Sequence, residues 1–220
     1  KHHLGFNSVV LFIFIFVKRN VVIHGNNNDN SWPMKYLIAG LGNPGLEYAN
    51  TRHNIGYIVA DALASEAKAN YTAQRHAEQC KVRFKGRTLV CIKPTTFMNL
   101  SGKAIRYWLE KEKIPLDHLL VIVDDIALPL GTLRLKASGS DGGHNGLEDI
   151  IRILGSTAFP RLRIGIGNDF AKGHQVDYVL GKWTREEEML MTEKVEKAVL
   201  MIKSFVSAGI VETMNTYNNK

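Results

Sequence analysis

A chain of 220 residues with 45% hydrophobic and 22% charged content is long enough for one full hydrophobic core and too apolar to be globally disordered. Its formal charge of +7 favours a polyanionic partner such as nucleic acid, although a basic surface alone also produces such a value. Two cysteines, Cys80 and Cys91, are too few for a disulfide framework and lack metal-ligand spacing, which points to a reducing compartment.

Residues 1–33 differ in character from the rest. An apolar run from Val9 to Val17 is followed by Lys18 and Arg19 and then by the polar stretch GNNNDNSW. Such a run falls short of the ~20 residues that cross a bilayer, and no small-residue cleavage site follows it as it would in a signal peptide. We read Met34 as the true start and 1–33 as a non-native or disordered extension, with one domain at 34–220. The extension supplies +2 of the charge, from Lys1, Lys18 and Arg19 against Asp29, so the domain itself stays basic.

From Met34 onward apolar runs alternate with helical patterns, without internal repeats. Tyr36 to Ala39 reads as a short buried strand that enters the turn GLGNPG (40–45). Ile55, Ile58, Val59, Ala62 and Leu63 then recur at helical spacing. The turn presents backbone N–H groups and Asn43 to a ligand, and His53 follows it by eight residues. With Thr51 as N-cap, His53 falls in the first helical turn, where the positive end of the helix dipole keeps the ring neutral and able to accept a proton. Asp124, at the end of the apolar strand Leu119 to Val123, is the natural carboxylate to hold the other ring nitrogen.

Further along, Cys80–Phe84 and Arg87–Lys93 form a hairpin. If Lys85 and Gly86 are its two-residue turn, Cys80 lies opposite Cys91 in a hydrogen-bonded pair, a poor geometry for a disulfide, and both thiols are free. Leu133–Lys136 and Leu162–Ile166 alternate as strands. Helices are expected at Ser101–Lys113, Gly146–Leu154 and Arg185–Ala208. The last starts on a Thr184/Glu187 capping box, stops at Gly209, and turns Leu190, Val195, Ala198, Val199, Ile202, Phe205 and Val206 to the core. The fold class is therefore α/β: a single domain with a twisted mixed β-sheet covered by helices on both faces.

Each motif taken alone is weak. GLGNPG matches the G-x-G-x-x-G fingerprint after a strand, but LEYANTRHN has little amphipathic period and no acidic residue ends a second strand about 20 residues on, which disfavours a nucleotide-dependent oxidoreductase. Asn99 in TTFMNLSG (95–102) fits a helix cap as well as a ligand contact, and His144-Asn145 in SDGGHNG (140–146) fits turn chemistry equally well. No GxSxG, HExxH or paired CxxC is present, which lowers serine and zinc hydrolase readings.

Taken together and in this order, GLGNPGLEYANTRHNIG, KPTTFMNLSG, VIVDD, SDGGHNGL and FPRLRIGIG resemble the bacterial-type peptidyl-tRNA hydrolases over essentially all of Met34 to the C-terminus. The resemblance implies a hydrolase that cleaves the ester between a peptide and the 3′-terminal ribose of tRNA, without metal or cofactor, as a cytoplasmic monomer with peptidyl-tRNA as partner and no membrane association. It casts His53 as general base and Asp124 as its orienting carboxylate. Asn43 and Asn99 would bind the peptide backbone beside the ester, and Asn145 would help to hold the substrate; an Asn amide, for which we favour Asn99 over Asn43, would polarise the carbonyl. Tyr48 and Phe97 match positions that contact the tRNA end or the peptide, and Lys136 and Arg163 match basic positions near the 5′-phosphate. One departure stands out: the family's third acidic residue in VxxDDLDLPxG is Ala127 here. A non-catalytic RNA-binding protein on the same fold is the alternative, which the intact set of His53, Asp124, Asn43 and Asn99 disfavours.

Overall fold

The computed structural model describes residues 34–218; the reading of residues 1–33 lies outside them. In chain order the elements are β1 (Lys35–Gly40), α1 (Ile55–Glu66), β2 (Thr72–Gln74), β3 (Ala77–Phe84), β4 (Arg87–Pro94), α2 (Ser101–Glu112), β5 (Leu119–Asp125), β6 (Leu133–Lys136), α3 (Asn145–Leu154), β7 (Arg161–Gly165), α4 (Gln175–Val179), α5 (Arg185–Ala208) and α6 (Ile210–Tyr217). The strands make one seven-stranded sheet in the order β2-β3-β4-β1-β5-β7-β6. Its centre is parallel, and β2, β3 and β6 add antiparallel edges, so the sheet is mixed as expected.

Why the sheet is covered on both faces follows from strand periodicity. Successive side chains point to opposite faces, and both sets are apolar in the central strands. Tyr36 and Ile38 of β1, Leu89 and Cys91 of β4, and Leu120 and Ile122 of β5 pack with α1 and α5. Leu37 and Ala39, Val90 and Ile92, and Val121 and Val123 pack on the other face with α2 and α3, around the buried Trp108.

The hairpin has the expected register, with Cys80 opposite Cys91, and it extends three residues further at its start. Lys85 and Gly86 both take positive φ, as the turn that matches strand twist requires. Cys80 and Cys91 are buried free thiols. The capping box of α5 is present on both sides, with Thr184 Oγ1 accepting from Glu187 N–H and the Glu187 carboxylate accepting from Thr184 N–H.

Three local expectations are corrected. Thr51 does not cap with its side chain: its hydroxyl turns back to donate to Tyr48 O at 2.8 Å, and His53 lies in a 3₁₀ turn, Arg52–Asn54, that feeds α1. Leu190 is exposed and Met191 takes the core position, because the buried stripe of α5 begins one residue later than the apolar pattern suggests. The short elements β2, α4 and α6 were not anticipated, each being too brief to display a period. Among the described residues no helix is long and apolar enough to cross a membrane.

The entry of α1 is pressed against the sheet backbone. A Cβ on Gly56 would stand 2.4 Å from both Leu41 N and Leu41 O and 2.5 Å from Ile122 O, and one on Gly40 would stand 2.1 Å from Gly56 O. Only glycine permits that approach.

Candidate active site

The carboxyl ends of the parallel strands gather the chemistry, as is usual for open α/β sheets. β5 ends in Asp124 and Asp125, both buried. The 3₁₀ turn before α1 sets His53 over this end, and its Nδ1 lies 2.9 Å and 3.0 Å from the two oxygens of Asp124. A carboxylate accepts only, so Nδ1 carries the proton and Nε2 is the free lone pair. His53 lines a cleft with Asp124, His144, Asn145 and Arg163.

Sequence reasoning gave His144 no role beyond the turn. In the structure it is the N-cap of α3, and its Nδ1 accepts from Gly146 N–H at 3.1 Å and Leu147 N–H at 3.2 Å. Its proton is therefore on Nε2, which donates to Asp124 Oδ1 at 3.0 Å. Asp124 thus receives two imidazole N–H groups. Burial alone would raise its pKa, but the facing His53 and His144 hold it well below the usual carboxylate range. No sequence signal marks this role, because a turn histidine can cap and point inward only once the loop is folded.

The nitrogen and oxygen atoms of His53, Asp124 and His144 lie within 4.8 Å of one another, a spacing at which a cation could be considered. The donor set does not fit one. A metal on His144 Nε2 would require the proton on Nδ1, where two helix N–H groups already point.

Asn43 is a strut. Its Oδ1 accepts from Met98 N–H at 2.8 Å. Its backbone N–H and C=O are bonded at 2.8 Å and 2.9 Å to the side-chain amide of the buried Asn54, the neighbour of His53. The glycine turn is tied to the base on one side and to the Phe97–Asn99 segment on the other. Leu41 N–H is also used internally, by Ile122 O at 3.0 Å. The expectation that this turn offers its backbone N–H groups to a ligand is corrected at Leu41 and Asn43: what Asn43 retains is its side-chain Nδ2.

The other expected residues divide into groups. Asn99 is exposed and borders a polar depression together with Asn145, Glu148, Asp149 and Arg152, so Asn145 joins this depression to the His53 cleft. Tyr48 and Phe97 meet edge to face, with ring centroids 6.4 Å apart, and Phe97, Leu100 and Leu46 are exposed apolar side chains. Arg163 lines the cleft but is ion-paired with Asp125. Lys136 is exposed on β6, opposite Arg161 and outside the cleft lining, whereas Arg134, not singled out from sequence, is the cross-strand partner of Arg163. Asp125 Oδ1 accepts from Ala127 N–H at 2.8 Å, a main-chain bond that does not depend on the side chain at 127.

Arg161 was also missed. It is buried, and its guanidinium donates to the carbonyls of Gly139 and Ser140 at 2.6 Å and 3.0 Å and to that of Thr157 at 2.8 Å. Burial, with Arg163 adding repulsion, lowers its pKa to about 10, which still leaves it charged near neutral pH. Arg161 thereby pins the loop that carries His144.

Residues 37–220 match the family model for peptidyl-tRNA hydrolase. The chain is 56% identical over 187 residues to the peptidyl-tRNA hydrolase of Phocaeicola vulgatus, covering 85% of this chain and all of that protein. It is 52% identical over 187 residues to the enzyme of Cytophaga hutchinsonii, again along that protein's whole length. Among solved structures, peptidyl-tRNA hydrolase from Acinetobacter baumannii superposes with a TM-score of 0.79 at 34% identity, covering 84% of this chain and 94% of that one. With its sheet, its histidine-carboxylate centre and these likenesses in agreement, the chain belongs to the peptidyl-tRNA hydrolase family.

Proposed function

We propose that His53 is the general base of peptidyl-tRNA hydrolysis, the reaction this chain performs as a member of its family, which releases the peptide and returns the tRNA for reuse. The observation that carries this assignment is the Asp124 carboxylate held between His53 and His144, with the Nε2 of His53 at the cleft and without a hydrogen-bond partner among the described residues. Nε2 takes a proton from water as the oxygen attacks the ester carbonyl, and Asp124 stabilises the imidazolium that results. Hydrolysis then expels the ribose 3′-oxygen, to which the same imidazolium returns the proton.

Charge develops on the carbonyl oxygen during attack and needs a fixed donor. Asn99 is assigned that role, since its amide is exposed beside Asn145 and makes no side-chain hydrogen bond among the described residues, whereas Asn43 spends its Oδ1 on Met98 and offers only Nδ2. Asn43 and Asn145 bind the peptide backbone, and Tyr48 and Phe97 present an apolar surface to the peptide or the terminal base. Arg163 and Lys136 contact phosphate near the 5′ end, a role consistent with their shared sheet face and indifferent to base sequence. The protein acts as a cytoplasmic monomer through residues 34–220, without metal or cofactor.

Incubation of the protein with N-blocked aminoacyl-tRNA tests this reading. Release of the blocked amino acid, by full chain and by a protein starting at Met34, is the expected result. Binding without release would make the chain a non-catalytic RNA-binding protein.

A further inference from the structure

Away from the His53 cleft, toward the β2 edge of the sheet, a set of cations is held on an aromatic support. Lys103, Tyr107 and Lys111 follow one another at four-residue spacing on α2 and so form a single line, with about 12 Å of helix rise from first to last. Tyr107 collects its neighbours: the Arg75 guanidinium lies 5.1 Å from the ring centroid and the Lys111 ammonium 5.6 Å, while His76 meets the ring edge-on at 5.7 Å. Lys111 also sits 4.4 Å from the centroid of Trp108. Contacts of this kind are worth roughly 0.5 to 1 kcal/mol at exposed sites, enough to bias a side chain's position without cancelling its charge.

Nothing nearby neutralises the group. Arg75, Lys103 and Lys111 are exposed and make no ion pair among the described residues. The adjacent carboxylates are engaged elsewhere, Glu110 with Arg106 and Glu112 with Lys35 and Lys81. The His76 pKa is lowered, by burial first and then by the repulsion of Lys103 and Arg75, as expected beside uncompensated positive charge.

The ridge adjoins the substrate site. His76 O accepts from Thr95 N–H at 2.9 Å, two residues before Phe97, and α2 begins two residues after Asn99. A peptide of arbitrary sequence carries no constant charge that would match this row, whereas a ribose-phosphate backbone does.

We propose that Arg75, Lys103 and Lys111 form a second phosphate-contact surface, which engages the RNA backbone on the side of the site away from Arg163. This rests on the hydrolase reading above, which makes the substrate an RNA ester. The contact is independent of base sequence, and Tyr107 acts as the support for Arg75 and Lys111, with Lys103 placed in line by helix spacing.

The test is the salt dependence of deacylated tRNA binding by the wild-type protein and by Arg75→Ala/Lys103→Ala/Lys111→Ala, with thermal melting to confirm folding. Each lost phosphate contact should make the slope of log affinity against log salt shallower by about 0.7 to 0.9, so by roughly 2 to 3 for the three, with the affinity loss largest at low salt. Lys103→Arg/Lys111→Arg keeps the charges and should keep the wild-type slope. An unchanged slope in the folded triple variant overturns the proposal, as does a loss seen only with an acidic peptide. Failure of the wild-type protein to hydrolyse N-blocked aminoacyl-tRNA would instead strike the hydrolase reading, so the two failures are distinguishable.

Discussion

His144 donates Nε2–H to Asp124 at 3.0 Å while its Nδ1 receives the backbone N–H groups of Gly146 and Leu147, so one imidazole both starts a helix and fixes a carboxylate. The two duties are separable by substitution. In His144→Asn the amide can still cap α3, since Asn is a good N-cap residue, but it is too short to reach Asp124. We expect thermal stability close to wild type with kcat lowered about 10- to 100-fold, the value of about 1.5 to 3 kcal/mol for a hydrogen bond to a charged group if all of it acts on the transition state. The limb of the pH-rate profile that reports the base should also move. Equal losses in melting temperature and kcat, with an unmoved profile, would reduce His144 to a cap.

His53→Ala removes the proton acceptor and little else, because among the described residues the ring's hydrogen bonds go to Asp124 alone. Turnover of N-blocked aminoacyl-tRNA should fall about 10²- to 10⁴-fold, while deacylated tRNA binds with nearly wild-type affinity. A turnover number within threefold of wild type would remove His53 from the mechanism.

Asn43→Ala and Asn43→Asp should part company. Alanine leaves the buried Met98 N–H without its acceptor, a loss of about 1 to 3 kcal/mol that thermal or urea unfolding would register. Aspartate keeps that acceptor but loses the Nδ2 donor and adds a negative charge. It should therefore unfold closer to wild type and still hydrolyse substrate poorly. If aspartate restored both stability and rate, Nδ2 would have no part in substrate binding.

The depressed pKa of Asp124 has a signed consequence for stability. A carboxylate whose folded pKa lies below its unfolded value contributes stability that is fully present above the unfolded value, about 3.9, and is lost as pH falls toward the folded one. The melting-temperature advantage of the wild type over Asp124→Asn should therefore be constant near neutrality and shrink below about pH 4. An advantage that grew with acidification would contradict the paired geometry.

Much of this fold can be read from period alone. The central strands are apolar on both faces, which requires helices above and below, and the Lys85-Gly86 turn fixes the pairing of Cys80 with Cys91. The capping box of α5 is a local device and is found where its residues predict. Thr51 had the residue type of a cap but spends its hydroxyl on Tyr48, a choice set by the path of the preceding loop. The pairing of His53 with Asp124 was legible because their motifs stand at a turn and at a strand end, whereas Asn43, expected to face a ligand, spends its Oδ1 on Met98. His144, Arg161 and the Asn43–Asn54 exchange escaped, since each depends on a contact between segments far apart in sequence or on which way a loop side chain faces. A basic residue likewise reads as charge and not as partner: Arg163 is paired with Asp125, a buried acid on the neighbouring strand β5, two positions beyond its own cross-strand partner Val123.

The close approach of Gly56 to Leu41 and Ile122 fixes where His53 can stand relative to Asp124. The spacing of the base and its carboxylate is consequently a main-chain dimension, with no side-chain volume interposed. Enlarging Gly40 or Gly56 by a single methyl group would force the main chains apart and so shift the base relative to its carboxylate.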